Sequence, residues 1–400
     1  MNFSLISAND MKKPIRVCHL ANADVYGGIE EQLKILLNTK KSRLDSKFEY
    51  HVILFNRGLL ESELSNPGVT VHIVQESRWN FLQQLIKIYR ILKDCRIHVV
   101  HTHKYKESIL GGLAAMLAGI PVKVKTIHGL TEFPSGLAKY RVGFIQKLDM
   151  FLSRYICTKI IAVSQEIENK LCEFFNGKLT FITNAVEPDL VEFQLKNDAW
   201  FDELTNLKQK YLLIGSIGRL VYVKGYDIFI KAAKLIIKRY PNVRFVLVGD
   251  GPEYSKLAKL VEGLGIKDYF FFTGFTQNRL AYLSKFDLFI LSSRHEGVPV
   301  VLLEAMALKI PILASRVGGI PFIIDHLKNG YMVEPDNPEI LANACMTILK
   351  NKKLAQSLAE NAGTTFCNNF SADIFRNKIH NLYQELFNQN RKGSLWNSKK

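Results

Sequence analysis

The chain has 400 residues, 48% hydrophobic and 22% charged, too many for one ordinary core and suited to two globular domains of roughly 150–200 residues each. No apolar run reaches the ~20 residues of a membrane-spanning helix, and cysteines 18, 95, 157, 172, 345 and 367 include no CxxC pair, which argues against a disulfide framework or a zinc site and fits a reducing cytosol. The net charge of +16 is concentrated: from Arg78 to Lys159 fourteen Lys and Arg stand against Asp94, Glu107, Glu132 and Asp149, leaving +10 in that segment.

Lys12 and Lys13 follow the weakly apolar start instead of preceding an apolar core, so no secretory leader is expected. The segment 15–20 reads as a buried strand, and Gly27-Gly28 precedes a helix starting near Ile29. Further strands are expected at 50–55, 69–74, 98–103, 123–127 and 159–163, with helical segments between them. Two of those segments, Trp79 to Lys93 and Phe144 to Ile156, combine helical periodicity with the basic excess. They suit either ordinary amphipathic helices covering a sheet or a basic surface resting on an anionic bilayer. The apolar stretch from Ile109 to Ile120 reads as a buried helix.

Residues 190–208 lose this rhythm and read as an interdomain connection. Strands resume at 211–216, 244–249, 269–273, 288–292 and 310–314, and Ser371 reads as the N-cap of a final helix through about Phe387. This alternation predicts an α/β chain with two parallel sheets covered by helices. The expected divisions are 1–195, 196–370 and a closing helix with a basic tail, 371–400. Ligands of such sheets bind beyond the carboxyl ends of the strands.

The most informative run is RHEGVPVVLLEAMA. It puts Glu296 at a strand-to-helix junction and Glu304 about two turns into a helix expected from Pro299 to about Leu308, on the order of 10 Å further along the axis. That is roughly the span from a sugar to a ribose across a diphosphate, with the positive end of the helix between them. Glu304 lies within VVLLEAMAL, where an unpaired carboxylate is costly to bury, so a partner is expected. Gly215-Ser-Ile-Gly-Arg219 with Lys224-Gly225 places two cations after a strand, where Arg219 can fork phosphate oxygens and Lys224 can add a point charge.

The turn Gly249-Asp-Gly-Pro-Glu253 suits either architecture or ligand contact. It is no dinucleotide fingerprint, since Tyr254 stands where a third glycine would be. Tyr26-Gly27-Gly28-Ile29 permits close backbone approach to a phosphate. Of the strand-end histidines His101, His103 and His128, His128 precedes a glycine and is the one expected to face the ligand. A metal-holding Asp-x-Asp pair and a Gly-x-Ser-x-Gly elbow are both missing, and no nucleic-acid-binding pattern is present.

The glutamate run resembles the E-x7-E element of retaining glycosyltransferases of the large family-four group, with their two facing Rossmann-like domains and interdomain cleft (the GT-B fold). The likeness continues in order through YGGIEEQL, TIHG, IAVSQEI, ITNAVE, IGRLVYVKGYDIFIKA, LVGDGPE, FTGF and ASRVGGIPFIIDHLKNGYMVEPDN. The resemblance implies an N-terminal acceptor domain and a C-terminal donor domain. Gly28 would approach the donor's phosphate or sugar, Arg219 and Lys224 would hold its pyrophosphate, and Glu296 would contact sugar hydroxyls. Glu304 would bind the ribose, His128 would lie beside the transferred sugar, and the backbone at Gly297 and Val298 would sit against sugar and phosphate.

Also implied are transfer from a nucleotide sugar, UDP-linked by family frequency, with retention of configuration and no metal or other cofactor. The acceptor would be a saccharide or lipid-linked intermediate of surface polysaccharide or lipopolysaccharide synthesis, handled in the cytoplasm or on the inner face of the membrane. Two positions depart from the pattern: Asn184-Ala185 replaces a common Asn-Gly, and Val298 replaces a common Phe or Leu. An epimerase or hydrolase of the same fold, or a non-catalytic binder of nucleotide sugars, would use the same donor site.

Overall fold

The apolar runs read as strands form parallel strands, as near-continuous hydrophobic segments do when both faces are covered. The computed structural model describes residues 14–22, 28–37, 47–64, 68–129, 138–187, 199–276 and 278–397. It divides into two units, Met1–Thr183 with Ala372–Lys400, and Asn184–Ser371.

The first unit contains, in order, β1 (Ile15–Ala21), α1 (Gly28–Leu37), β2 (Phe48–Leu54), α2 (Leu59–Glu63), β3 (Val69–Ile73), α3 (Phe81–Asp94), β4 (Val99–Thr102), α4 (Tyr105–Leu117), β5 (Val122–Ile127), α5 (Ala138–Ile156), β6 (Lys159–Ala162), α6 (Gln165–Phe175) and β7 (Leu179–Phe181). The sheet order is β3-β2-β1-β4-β5-β6-β7. Its order reverses between β1 and β4, which creates a crevice at their carboxyl ends. Asn80 starts α3 with a reciprocal capping box to Gln83. One helical layer runs α3-α4-α5, and α4 packs so closely on β1 that a Cβ at Gly111 would stand 2.7 Å from the Leu20 side chain.

The second unit contains α7 (Ala199–Lys208), β8 (Leu212–Ile217), α8 (Tyr226–Arg239), β9 (Val243–Val248), α9 (Tyr254–Gly263), β10 (Phe270–Gly274), α10 (Arg279–Leu283), β11 (Leu288–Leu291), α11 (Val300–Ala307), β12 (Ile312–Ser315), β13 (Tyr331–Val333), α12 (Pro338–Lys350) and α13 (Lys352–Asn369). Its sheet order is β10-β9-β8-β11-β12-β13, with the reversal between β8 and β11. Phe229, Phe245 and Ile236 fill one face of this sheet, and Phe289, Leu302, Leu303 and Met306 fill the other. Gly215 on β8 is required by Phe286, whose ring carbon would stand 2.0 Å from a Cβ there. The closing helix α14 (Ala372–Asn397) returns to the first unit and buries Ile379, Leu382 and Tyr383 in its core.

Several boundaries differ from the sequence expectation. The chain enters the second unit at Asn184 instead of after residue 195, because Val186 is buried there and its N–H bonds Phe370 O at 3.3 Å. Residues 199–208, expected within the connection, form α7, whose Leu204 is fully buried; 188–198 lie outside the described residues. Strands β7 and β13 were not expected, each being three residues long and too short to carry a period. Helix α11 begins one residue later than expected, with Pro299 as its N-cap. Ser371 precedes α14, but its hydroxyl donates back to Cys367 O at 3.3 Å. That helix also continues ten residues past Phe387, through polar sequence that has no apolar stripe to read.

Candidate active site

The β8/β11 reversal brings two loops together. After β8, Tyr222–Lys224 form a single 3-10 turn closed by Gly225 at φ 64°. A Cβ on Gly225 would meet Ser292 O at 2.1 Å, so glycine is needed where the two loops touch. The loop after β11 grips this turn from its other side. The Ser292 hydroxyl donates to Lys224 O at 3.2 Å, and Arg294 bonds Val223 O through its N–H and Tyr222 O through its guanidinium, both at 2.8 Å. The same guanidinium forks Asp227 at 2.8 and 2.9 Å, which holds that carboxyl below the usual range against the opposing effect of burial.

Lys224 and Glu296 are thereby placed in contact. Lys224 Nζ lies 2.7 Å from Glu296 Oε1, and Ser293 Oγ donates to the same oxygen at 2.6 Å. Glu296 is only 7% exposed. Its backbone is clamped by Val317-Gly318-Gly319: Gly319 N–H bonds Glu296 O at 3.1 Å, and a Cβ on Gly318 would stand 1.8 Å from that oxygen. Gly297 is exposed and Val298 half-buried. Pro299 caps α11 without a side-chain acceptor; Leu302 N–H bonds Pro299 O at 3.0 Å, which leaves the N–H groups of Val300 and Val301 as the ones an anion could use. Arg219 is exposed, and among the described residues it has no ion-pair partner. Gly249 and Gly251 serve architecture, since a Cβ at either would collide with the backbone of Gly218 or Leu220.

Glu304 is 1% exposed and receives Arg279, whose Nε lies 2.9 and 3.1 Å from the two carboxylate oxygens and whose Nη2 lies 2.7 Å from Oε1. The partner expected for a carboxylate in so apolar a helix is therefore a guanidinium from α10.

In the first unit, Gly28 opens α1, exposed and with nothing within 4 Å of a Cβ built on it. Tyr26 and Gly27 lie outside the described residues. Lys104, just after β4, reaches Glu30 on α1 at 2.7 Å. His128, half-buried after β5, ends a chain of polar groups. Its Nε2 lies 3.1 Å from His103 Nδ1, and His103 Nε2 lies 3.2 Å from His19 Nδ1. Tyr383 Oη bridges His19 Nε2 at 3.4 Å and His101 Nδ1 at 2.5 Å, and His101 Nε2 meets Thr126 Oγ1 at 2.7 Å. Burial holds His19, His101 and His128 well below the usual histidine range and His103 at about 3, with neighbouring histidines and Lys104 adding to the effect. Each ring is therefore neutral and carries one N–H. Each neutral ring has one donor and one acceptor, so the protons of His128, His103 and His19 run in one sense and the tautomer of His128 is tied to that of His19.

Several residues of this geometry went unread in the sequence, among them Ser293, Arg294, Arg279, His19 and Tyr383. Arg294 and Ser293 adjoin Glu296 in the chain, but their partners Asp227 and Glu296 are set by loop folding. Arg279, His19 and Tyr383 carried no local signal.

Residues 37–190 match the family model described as Glycosyltransferase Family 4, and residues 199–365 match Glycosyl transferases group 1. The chain is 28% identical over 384 residues to the UDP-Gal:alpha-D-GlcNAc-diphosphoundecaprenol alpha-1,3-galactosyltransferase of Escherichia coli, covering 93% of this chain and 97% of that one. It is 26% identical to the N-acetyl-alpha-D-glucosaminyl L-malate synthase of Bacillus anthracis, over 82% of this chain and 87% of that one. Among solved structures, Anabaena Alr3699/HepE in complex with UDP shares the fold, with a TM-score of 0.77 and 20% identity over 93% of this chain and all of that one. With both parallel-sheet units matched and the ordered motifs in place, the chain belongs to the family-four, group 1 glycosyltransferases of GT-B fold.

Proposed function

We propose that the protein transfers a sugar from a UDP-sugar to a saccharide or lipid-linked acceptor, with retention of anomeric configuration and without a metal, in the synthesis of a surface polysaccharide or lipopolysaccharide. The observation that carries this reading is the Lys224–Glu296 pair at the β8/β11 reversal, beside an uncommitted Arg219 and the open amino end of α11. Glu296 is held on one oxygen by Lys224 and Ser293, so its other oxygen is free to accept a sugar hydroxyl. As the glycosidic bond to the donor breaks, negative charge develops on the diphosphate. Arg219, Lys224 and the α11 amides are the preorganised positive groups for that charge. A departing phosphate oxygen would take the acceptor's proton on the same face of the sugar, which accounts for retention without a carboxylate nucleophile. Glu304, oriented by Arg279, would bind the ribose; in the first unit, Gly28 and the neutral His128 are the groups proposed to contact a sugar or phosphate.

Glu296→Ala, Arg219→Ala and Lys224→Ala are expected to lower turnover by roughly 10²-fold or more each. Near-normal turnover in all three folded variants would remove the assignment. Release of UDP only in the presence of acceptor separates transfer from hydrolysis, the product's anomeric configuration by NMR tests retention, and unchanged turnover in EDTA tests metal independence.

The Escherichia coli relative is named for an acceptor on a diphosphoundecaprenol carrier, which supports a lipid-linked acceptor here. So does the outer face of the α3-α4-α5 layer. Phe81, Leu82 and Ile86 on α3 and Phe144, Phe151 and Tyr155 on α5 are all 42–69% exposed, among Arg90, Lys93 and Lys147. Apolar rings between basic groups suit an anionic bilayer surface. Sedimentation with anionic liposomes should be strong at low salt and weaken in high salt. It should also fall in a Phe144→Ser/Phe151→Ser variant, and absence of binding at any salt would remove the membrane surface from the proposal.

A further inference from the structure

Two groups of potential metal ligands occur among the described residues, and their surroundings differ. His19, His101 and His103 are already committed to one another, to Tyr383 and to Thr126, deep in the core. His51, His72 and Cys95 are not resolved in that way. They meet at the edge of the same sheet, from β2, the edge strand β3 and the C-cap of α3, with His51 buried and the other two half-buried.

His51 Nδ1 lies 3.3 Å from His72 Nε2, and Cys95 Sγ lies 3.8 Å from that same His72 nitrogen, with all three atoms within 4.8 Å of one another. Tetrahedral zinc with Zn–N of about 2.0–2.1 Å and Zn–S of about 2.3 Å sets its ligand atoms ~3.3–3.6 Å apart; the His51–His72 and His72–Cys95 pairs stand near that spacing, and the His51–Cys95 pair, within 4.8 Å, reaches it with a shift of at most about 1.5 Å. The far side of His51 is also prepared. Its Nε2 lies 3.2 Å from Glu49 Oε1, and Arg16 Nε holds Glu49 Oε2 at 3.2 Å. A carboxylate taking the distal N–H fixes the tautomer that leaves Nδ1 as a lone pair, the arrangement usual behind a metal-bound imidazole.

Without an ion, His72 Nε2–H can donate to His51 Nδ1 while His51 Nε2–H donates to Glu49, which leaves the Cys95 thiol with at most a weak contact at 3.8 Å. A cation would engage all three ligand atoms at once.

We propose that His51 Nδ1, His72 Nε2 and Cys95 Sγ form a zinc site that ties the end of α3 to β2 and β3, with a fourth position open to water. Two imidazoles and a thiolate with an open fourth position suit zinc and exclude magnesium and calcium, which take oxygen ligands. Binding releases the thiol proton of Cys95 and clips the edge of the sheet, independently of the sugar-transfer reading.

The test titrates the full-length, metal-free protein with Co²⁺ under anaerobic conditions and a thiol-free reductant. Expected are one equivalent bound, intense visible bands of a tetrahedral ion, a thiolate-to-cobalt band in the near ultraviolet, and displacement of all three by Zn²⁺. Cys95→Ser should abolish the thiolate band, Cys172→Ser should retain it, and Glu49→Gln should weaken affinity by about 10–100-fold. Zn²⁺ should raise the Tm of the wild type and leave that of Cys95→Ser unchanged. If Cys95→Ser does not fold, His72→Gln takes its place, with at least a tenfold loss of cobalt affinity expected. No thiolate band at one equivalent, or a band that survives Cys95→Ser or an affinity unmoved by His72→Gln, overturns the site.

Discussion

Glu296 and Glu304 have different electrostatic settings, and the different roles proposed for them rest on that difference. Glu296 meets a lysine and a hydroxyl on one oxygen, whereas both oxygens of Glu304 face one guanidinium. Arg279 is 41% exposed on its side chain, so solvent screens part of this pair. Arg279→Ala would still leave a buried carboxylate without its counterion. We expect it to lower stability by about 1–3 kcal/mol and to raise the donor KM, readable from urea denaturation and steady-state kinetics. Glu304→Ala should raise KM with a smaller change in kcat, the pattern of lost ground-state binding; an unchanged KM in both variants would detach this pair from the donor. The need for a partner at Glu304 was readable from the apolar run around it. That the partner is Arg279 was not, because α10 is a short helix whose position comes from packing.

At the scale of elements, α5 shows how one helix can serve two environments. Its inner face carries Asp149 and Ser153, which bind Lys125 of β5 in a buried ion pair, while Phe144, Phe151 and Tyr155 point outward. Burial pushes the Asp149 carboxyl up, and Lys125 opposes that shift. Both side chains are nearly inaccessible, at 4% and 7%. Removing one partner therefore leaves an uncompensated charge, and Lys125→Ala is expected to destabilise the protein by about 3–5 kcal/mol, while Lys125→Met with Asp149→Leu recovers most of it. Chemical denaturation of the three proteins checks this, and equal losses in the single and double variants would contradict it. The periodicity of α5 was plain in the sequence. Its charge excess favoured a sheet-covering helix and left a membrane surface as the alternative, and only the side-chain exposures support the second use.

The whole molecule should be acid-sensitive through its buried histidines. His19, His101 and His103 are neutral when folded, with His103 at about 3, and His380 is lowered to about 4 by burial and then Arg376. In the unfolded chain each titrates near 6.5. The unfolded state therefore binds more protons as pH falls through that value, so stability is full above it and is lost on acidification towards the folded pKa values. Between pH 7 and 5 each such histidine removes up to about 2 kcal/mol. Denaturation midpoints followed by circular dichroism across this range should fall steeply, and a flat profile would show that the rings are protonated in the folded state.

By itself the sequence determined the alternation of strands and helices, the two parallel sheets, the placing of Glu296, Arg219, Lys224 and His128 beyond strand ends, and that of Glu304 within the following helix. Those features are written locally, in apolar runs, periods and glycine turns a few residues long. Tertiary structure alone decided the partners: Lys224 for Glu296, Arg279 for Glu304, Tyr383 for the histidine chain, and Cys95 for His51 and His72. Strand order, loop folding and helix packing join residues tens of positions apart, and for the strand histidines His19, His51, His72 and His101 a register shift of one residue would turn each side chain to the opposite face.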